Sequence, residues 1–291
     1  SGAALLSQQG LINGVYVDPN GSSTQTKDDL LRLSDLARVA LSGTLRDYSF
    51  TDRFGAVRKN SEIDYFGQQS GFAASPSETI NYVEAHDNQT LFDLNAYKLP
   101  ANTPLADRVR VQNLGAAINI FAQGVPFFHA GQEILRSKSM DRDSYNAGDW
   151  FNKLDYSYQS NNFGVGMPIA GVNQASYEMI SPILVNPLIK PDSAAIVSAR
   201  DTFNELLSIR SDSSLFRLRT AQDVKERLKF YNVGPNQAAG IIAMHIDGRG
   251  YKGAKYKSVA VLFNVDKTAR TVTIAELKGL KLALHKTQRN S

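Results

Sequence analysis

The spacing of apolar residues changes part-way along this chain, and that change limits the folds open to it. Before about residue 220, helix-type spacing alternates with short β-prone runs. The predicted helices cover 26–41, with Thr26 as the cap, 105–123 and 193–210, and the predicted strands cover 79–85 and, buried, 125–130. Because strands alternate with helices, this part is expected to be a parallel α/β structure. The polar segments 1–26, 46–76 and 132–191 are predicted to be loops.

After residue 220 only short β-prone runs remain. They cover 228–231, 241–246, 258–264 and 271–274, and Gly, Asn and Pro turns separate them. That spacing predicts an antiparallel β-sandwich, with the domain boundary near 220.

Composition excludes several classes of protein. With 42% hydrophobic residues, the 291-residue chain is too apolar to be disordered. It has no uninterrupted apolar run of about 18 residues, so no membrane span is predicted. The net charge of +4 is spread along the chain, which argues against a nucleic-acid partner. The absence of cysteine excludes disulfides and thiol catalysis.

Polar residues follow the two predicted strands. The first set is His86-Asp87-Asn88, and the second runs from Gly131 to Tyr145 with alternating acidic and basic residues. A third set joins Trp150 to neighbouring amides, which suits sugar binding because pyranose faces pack on aromatic rings. In an α/β barrel, loops at the carboxyl ends of strands carry the function, but turns, solvated salt bridges and core packing explain the same residues.

Other kinds of site have no counterpart in the sequence. His, Asp and Glu do not occur at a metal-ligand spacing, and there is no Gly-rich phosphate loop or nucleophile elbow. His129 lies within an apolar run, which favours a hydrogen-bonded core histidine over a functional one. The residues alone therefore predict a polar, loop-lined site on an α/β scaffold.

Four segments carry a more specific resemblance. The sequence from Ser77 to Asp93 resembles the fourth conserved region of the alpha-amylase superfamily, glycoside hydrolase family 13. It resembles most the form of this region found in type I pullulanases and plant limit dextrinases. The segments 125–155, 161–168 and 213–218 are similar to the same enzymes, in the same order.

The resemblance implies a fold and a reaction. The fold would be the C-terminal part of a (β/α)8 TIM barrel, residues 1–220, followed by an antiparallel β-sandwich domain, residues 221–291, both incomplete. The reaction would be the retaining hydrolysis of α-1,6 branch linkages in pullulan, limit dextrins and starch. Asp87 matches the family's third carboxylate, which stabilises the transition state, and His86 matches its sugar-binding histidine. The further predicted substrate-binding residues are Asn88, Asp141, Arg142, Trp150, Asn162 and Phe163.

The chain departs from the family at the reacting carboxylates. No segment resembles the family's nucleophile or general-acid motif, and a whole barrel needs about 200 residues or more. We therefore expect a portion of a longer debranching enzyme that is inactive alone. The alternatives are a noncatalytic glucan-binding or regulatory relic of the fold, or a related α-1,4-acting amylase or isoamylase.

The resemblance also sets expectations for ligands and location. No cofactor is required, although the full-length enzyme could hold Ca²⁺. The expected partner is a branched α-glucan such as pullulan, limit dextrin or amylopectin. The compartment would be a plastid in a plant or alga, and the cell surface or exterior in a bacterium.

Overall fold

A computed structural model describes residues 2–289 of the chain. Its helices are α1 (Gly2–Ser7), α2 (Lys27–Leu41), α3 (Leu91–Lys98), α4 (Leu105–Phe121), α5 (Asp149–Asn152), α6 (Ala170–Asn173), α7 (Tyr177–Leu184), α8 (Ser193–Asp212) and α9 (Ala221–Arg227). Its strands are β1 (Ser49–Thr51), β2 (Val57–Lys59), β3 (Asp64–Tyr65), β4 (Gln68–Gln69), β5 (Ile80–Asn81), β6 (Val125–Pro126), β7 (Leu228–Tyr231), β8 (Ile241–Asp247) and β9 (Ser258–Asn264).

These elements form two compact units built from separated segments. The first unit comprises the residues up to Thr26, Tyr82–Ala116 and Phe128–Asn204. The second comprises Lys27–Asn81, Ala117–Phe127 and the residues from Glu205 on. The domain boundary near 220 stays a prediction.

The first unit is mainly helical around one apolar core. The ring of Phe92 on α3 meets that of Phe163 edge-on, with 5.7 Å between centroids. Other buried members are Val109, Ile134, Leu135, Met140, Ile180, Ile189 and Ile196. Helix α3 begins where Thr90 accepts a hydrogen bond from the backbone N–H of Asp93, so a capped helix leads directly out of the polar loop before it.

The second unit holds the sheets. Strand β5 pairs with β6 in parallel, Ile80 opposite Val125, while β7, β8 and β9 form one antiparallel sheet in that order. In α2, Asp28 and Asp29 lie in the first turn, where they complement the helix dipole, and Gly43 follows in the left-handed region at φ +75°.

The predicted long helices are confirmed, since α2, α4 and α8 cover the expected segments. Both strand predictions before residue 220 are too long, because β5 and β6 are two residues each. The strand at 125–130 is also not buried: Val125 is 49% exposed and Phe127 51%. A two-stranded sheet leaves such a face uncovered.

Further expectations also differ from the structure. Segment 46–76 is not only loop, since it contains the short strands β1 to β4, and helix α9 lies at the start of the region that was expected to hold only β runs. Segment 132–191 contains α5, α6 and α7 rather than only loop, and Pro182 within α7 conceals that helix in the sequence. Segment 1–26 contains α1. Segment 271–274 is not a strand, since none of β7, β8 and β9 pairs with it. The described residues of this region therefore contain one three-stranded sheet, with no second sheet to complete the expected sandwich.

Candidate active site

The loop from Glu84 to Leu91 carries the most exposed polar groups predicted for the site. The side chains of His86 and Asp87 are 85% and 72% exposed, and the His86 Nε2 atom lies 3.5 Å from Asp87 Oδ1. Asn88 follows in the left-handed region at φ +61°, which turns the chain sharply. The loop therefore presents an imidazole and a carboxylate side by side to solvent.

Two hydrogen bonds within the first unit hold the backbone of this loop. The backbone N–H of Leu91 donates to the Glu84 carboxylate, which closes the loop across its base. The Lys138 Nζ atom donates to the carbonyl oxygen of His86 over 3.2 Å. The exposed pair thus stands on a fixed backbone.

The buried carboxylate of Asp93 holds the segment that carries Lys138. Asp93 accepts hydrogen bonds from the Ser137 hydroxyl at 2.5 Å and from the Lys138 backbone N–H at 2.8 Å. Burial raises the pKa of Asp93 to about 6 in spite of these hydrogen bonds. Burial lowers the pKa of the Lys138 ammonium, and the negative charges of Asp93 and Asp141 oppose that change.

The side chains of Glu84 and His129 approach each other through two atoms that have no hydrogen-bond partner among the described residues. Arg136 Nη1 donates to His129 Nε2 over 2.9 Å, so the proton of the neutral ring lies on Nδ1. That Nδ1 lies 3.8 Å from Glu84 Oε1, and neither atom has a hydrogen-bond partner among the described residues. Burial raises the pKa of Glu84 to about 7 and lowers that of His129 to about 4. The prediction of a hydrogen-bonded core histidine therefore holds only in part, because the His129 residue is partly buried and only one of its nitrogens is hydrogen-bonded.

The adjacent residues Asp141 and Arg142 differ in exposure and in hydrogen-bond partners. Arg142 is exposed, and its Nε donates to Asn88 Oδ1 over 3.4 Å. Asp141 is fully buried, and its Oδ1 accepts from Asn173 Nδ2 at 3.0 Å. The structure thus joins Arg142 to Asn88 of the loop, whereas Asp141 accepts hydrogen bonds from the Asn173 side chain and from the backbone N–H of Asp143.

Trp150, Asn162 and Phe163 form a second group of predicted site residues, and only Trp150 is exposed. The exposed indole of Trp150 donates from Nε1 to the Val165 carbonyl over 3.1 Å, and Asn162 Nδ2 donates to the Trp150 carbonyl over 2.9 Å. Asn162 is buried, and Phe163 is only 2% exposed. A ring buried against Phe92 has no face left for a sugar. The direct substrate contact expected of Phe163 is therefore replaced by a packing role, while Trp150 keeps its ring in solvent.

Comparison with known proteins identifies the family. Residues 158–291 match the family described as alpha-1,6-glucosidases, pullulanase-type, C-terminal. Across 97% of its length the chain is 42% identical to the chloroplastic pullulanase 1 of Arabidopsis thaliana. The chain belongs to the pullulanase family.

Bacterial pullulanases agree, which confirms the resemblance found in the sequence. Over the whole length of this chain, the sequence is 39% identical to Klebsiella pneumoniae pullulanase. A crystal structure of that enzyme complexed with maltotriose superimposes with a TM-score of 0.88 over 91% of this chain and 26% of the crystallised one. The chain spans 30% of the Arabidopsis protein and 27% of the Klebsiella protein, so it corresponds to less than a third of each.

Within this pullulanase-family chain, sequence reasoning missed the buried charges beneath the loop. These are the buried Glu84, Asp93 and Lys138, to which the partly buried Arg136 is added through its hydrogen bond to His129. Glu84 stands two positions before His86, and Arg136 and Lys138 belong to a segment whose alternating charges favoured a solvated loop. That interpretation is wrong for Lys138, which is 1% exposed.

Neither metal nor membrane features emerge from the described part of the chain. Residues 2–289 contain no group of three or more His, Cys, Asp or Glu side chains placed to hold a metal ion. Ca²⁺ in a longer enzyme stays a prediction. Among the described helices, none combines the length and apolar character that crossing a bilayer requires.

Proposed function

We propose that this chain is the C-terminal portion of a retaining α-1,6-glucosidase that hydrolyses branch linkages in pullulan, limit dextrins and amylopectin. The observation that supports this most is the exposed His86–Asp87 pair on a doubly anchored loop, in a chain about 40% identical to pullulanases along its length. The crystal structure of the Klebsiella pneumoniae relative is a complex with maltotriose, which supports a glucan as substrate.

Asp87 acts on the transition state rather than on the bond itself. A retaining glycosidase passes through an oxocarbenium-like state whose positive charge forms at the ring carbon and oxygen. An exposed carboxylate has free lone pairs for sugar hydroxyls, and it stabilises that charge electrostatically. His86, 3.5 Å away, donates a hydrogen bond to a hydroxyl of the same sugar.

Neighbouring groups extend the contact with the glucan. Arg142 and Asn88 are joined by a hydrogen bond. Together they offer several donors to the hydroxyls of glucose units beyond the one whose bond is cleaved. Trp150 offers an exposed indole for a pyranose face, and the buried Asn162 holds the Trp150 backbone in place. Asp141 and Phe163 serve the same function indirectly, by fixing the loops on which these groups stand.

The scaffold would be the last part of a (β/α)8 barrel, with β5 and β6 as its seventh and eighth strands. Their parallel pairing, with α3 and α4 between them along the chain, is the βαβ arrangement from which such barrels are built. The exposed Ile80, Val125 and Phe127 supply apolar surface that further strands would cover. The residues from 221 on would belong to the β-sandwich domain.

The nucleophile and the general acid are supplied by a part of the enzyme outside these residues. No motif for either occurs in the sequence, so the chain alone contributes transition-state stabilisation and binding without bond cleavage. The longer enzyme would work in a plastid or outside a bacterial cell, as the plant and bacterial relatives suggest.

Hydrolysis by the protein at its full natural length tests the proposal. We expect cleavage of pullulan but not of linear α-1,4-linked amylose, and loss of that cleavage in Asp87→Asn. Asp107→Asn is the matched control, because Asp107 is an exposed carboxylate paired with Arg110 on α4. Glucan binding without turnover at full natural length would support the noncatalytic relic, and cleavage of amylose would support the α-1,4-acting amylase.

A further inference from the structure

Lys138 is a buried lysine whose ammonium contacts the backbone of the proposed catalytic loop. Its side chain is almost completely removed from solvent, although lysine is among the residue types least often buried. The Nζ atom donates to the carbonyl oxygen of His86 over 3.2 Å. That oxygen belongs to the peptide unit between His86 and Asp87, so one hydrogen bond restrains the backbone of both residues.

The backbone of Lys138 is itself fixed, which makes it a firm anchor. Its N–H donates to Asp93 over 2.8 Å, and the hydroxyl of the preceding Ser137 donates to the same carboxylate over 2.5 Å. Asp93 lies in the first turn of α3, whose start is capped by Thr90. The contacts therefore run from the capped helix through Asp93 and Lys138 to the peptide that joins the two exposed residues.

We propose that Lys138 is a positioning residue for the α-1,6-glucosidase reaction: by holding the His86–Asp87 peptide, it sets the orientation in which both side chains meet the sugar. This inference rests on the proposed function. Glu84 closes the loop at its base through Leu91, and Arg142 bonds the Asn88 side chain, but neither of these hydrogen bonds is made to the His86–Asp87 peptide. Rotation of the His86–Asp87 peptide would swing the carboxylate away from the ring carbon while leaving the loop ends in place.

Replacement of the ammonium separates positioning from binding. In the protein at its full natural length, Lys138→Met keeps the length of the side chain and removes its donors. We expect kcat on pullulan to fall about 100-fold, with KM much less affected, because a misplaced catalytic group costs rate more than binding. Lys138→Arg, which keeps donors and charge, should recover part of kcat. Lys153→Met, at an exposed lysine of the same unit, should match the wild type.

Hydrogen exchange measures the loop without reference to activity. The peptide 85–90 should exchange faster in Lys138→Met than in the wild type or in Lys153→Met. If the wild type does not cleave pullulan, the proposed function is wrong, and this exchange comparison still decides whether Lys138 holds the loop. Equal exchange in all three proteins, or a Lys138→Met variant with wild-type kcat, would overturn the inference.

A measurement on the wild type alone covers the case in which Lys138→Met does not fold. Reductive methylation with peptide mapping should modify Lys153 quickly and Lys138 slowly, because a held, buried ammonium is shielded from the reagent. Methylation of Lys138 at the rate of Lys153 would show that its ammonium is not held at the loop, which also overturns the inference.

Discussion

The buried carboxyl of Glu84 should make the stability of the chain depend on pH in a way that one substitution removes. Burial raises its pKa from the ordinary 4.5 to about 7. The unfolded chain therefore releases this proton near pH 4.5, whereas the folded chain retains it to about pH 7. The contribution of the Glu84 carboxyl to the free energy of unfolding is fully present below pH 4.5 and is lost as the pH rises through 7. At about 1.36 kcal/mol per pKa unit, the loss approaches roughly 3 kcal/mol.

Glu84→Gln copies the shape of the protonated carboxyl and keeps an acceptor for the Leu91 N–H. We expect the variant and the wild type to unfold with similar free energies near pH 4. By pH 8 the variant should be more stable by about 3 kcal/mol, measured by urea unfolding at one-unit pH steps. His129, with its lowered pKa, changes stability in the opposite direction, and Asp93 in the same direction. Both groups are present in the two proteins, so the difference between the proteins reports Glu84 together with its coupling to Asp93 and His129. A difference that does not vary with pH would refute the reasoning.

Other substitutions test the site and the core. Asp87→Asn should lower pullulan turnover by a factor on the order of 10²–10³ with an unchanged melting temperature, and a variant with near-full activity would remove Asp87 from the mechanism. Trp150→Ala should weaken glucan affinity and cost about 1 kcal/mol through the lost bond to the Val165 carbonyl. Calorimetric titration with maltotriose and thermal melting check this, and no change in either would contradict it. Phe163→Ala should destabilise the first unit by about 3–5 kcal/mol by opening a cavity beside Phe92, as measured by chemical unfolding; a cost under about 1 kcal/mol would show that Phe163 is not part of the core.

The long helices were predictable because their apolar spacing is sustained. In α2, Leu30, Leu31 and Leu41 are buried on one face, and the pattern continues for four turns. The helix α7 was not predictable in this way, because it is two turns long and contains Pro182. A short apolar helix with an internal proline has the same appearance as a loop in sequence.

The strands were harder because a strand is defined by its partner as much as by its own residues. The text at 79–85 and 125–130 is equally β-prone throughout, yet only the positions with a neighbour on the paired strand form ladder hydrogen bonds. The same reason explains why segment 271–274 alternates like a strand but lies unpaired beyond β9.

The exposed part of the candidate site was predictable and its support was not. His86, Asp87 and Asn88 follow a β-prone run, and their text matches a known family region, so both lines of reasoning led to the same loop. Lys138 and Asp93 depend on a contact between residues 45 positions apart. Nothing local in the sequence distinguishes a lysine that bonds a distant carbonyl from one that lies in solvent.

The intact mass of the protein in its natural source tests the central claim most directly. An antibody raised against this chain would isolate the native protein for mass spectrometry. We expect a mass well above 31.9 kDa, since the nucleophile and the general acid must lie in further sequence. A native mass of 31.9 kDa would contradict it, because the protein would then lack the two reacting carboxylates altogether.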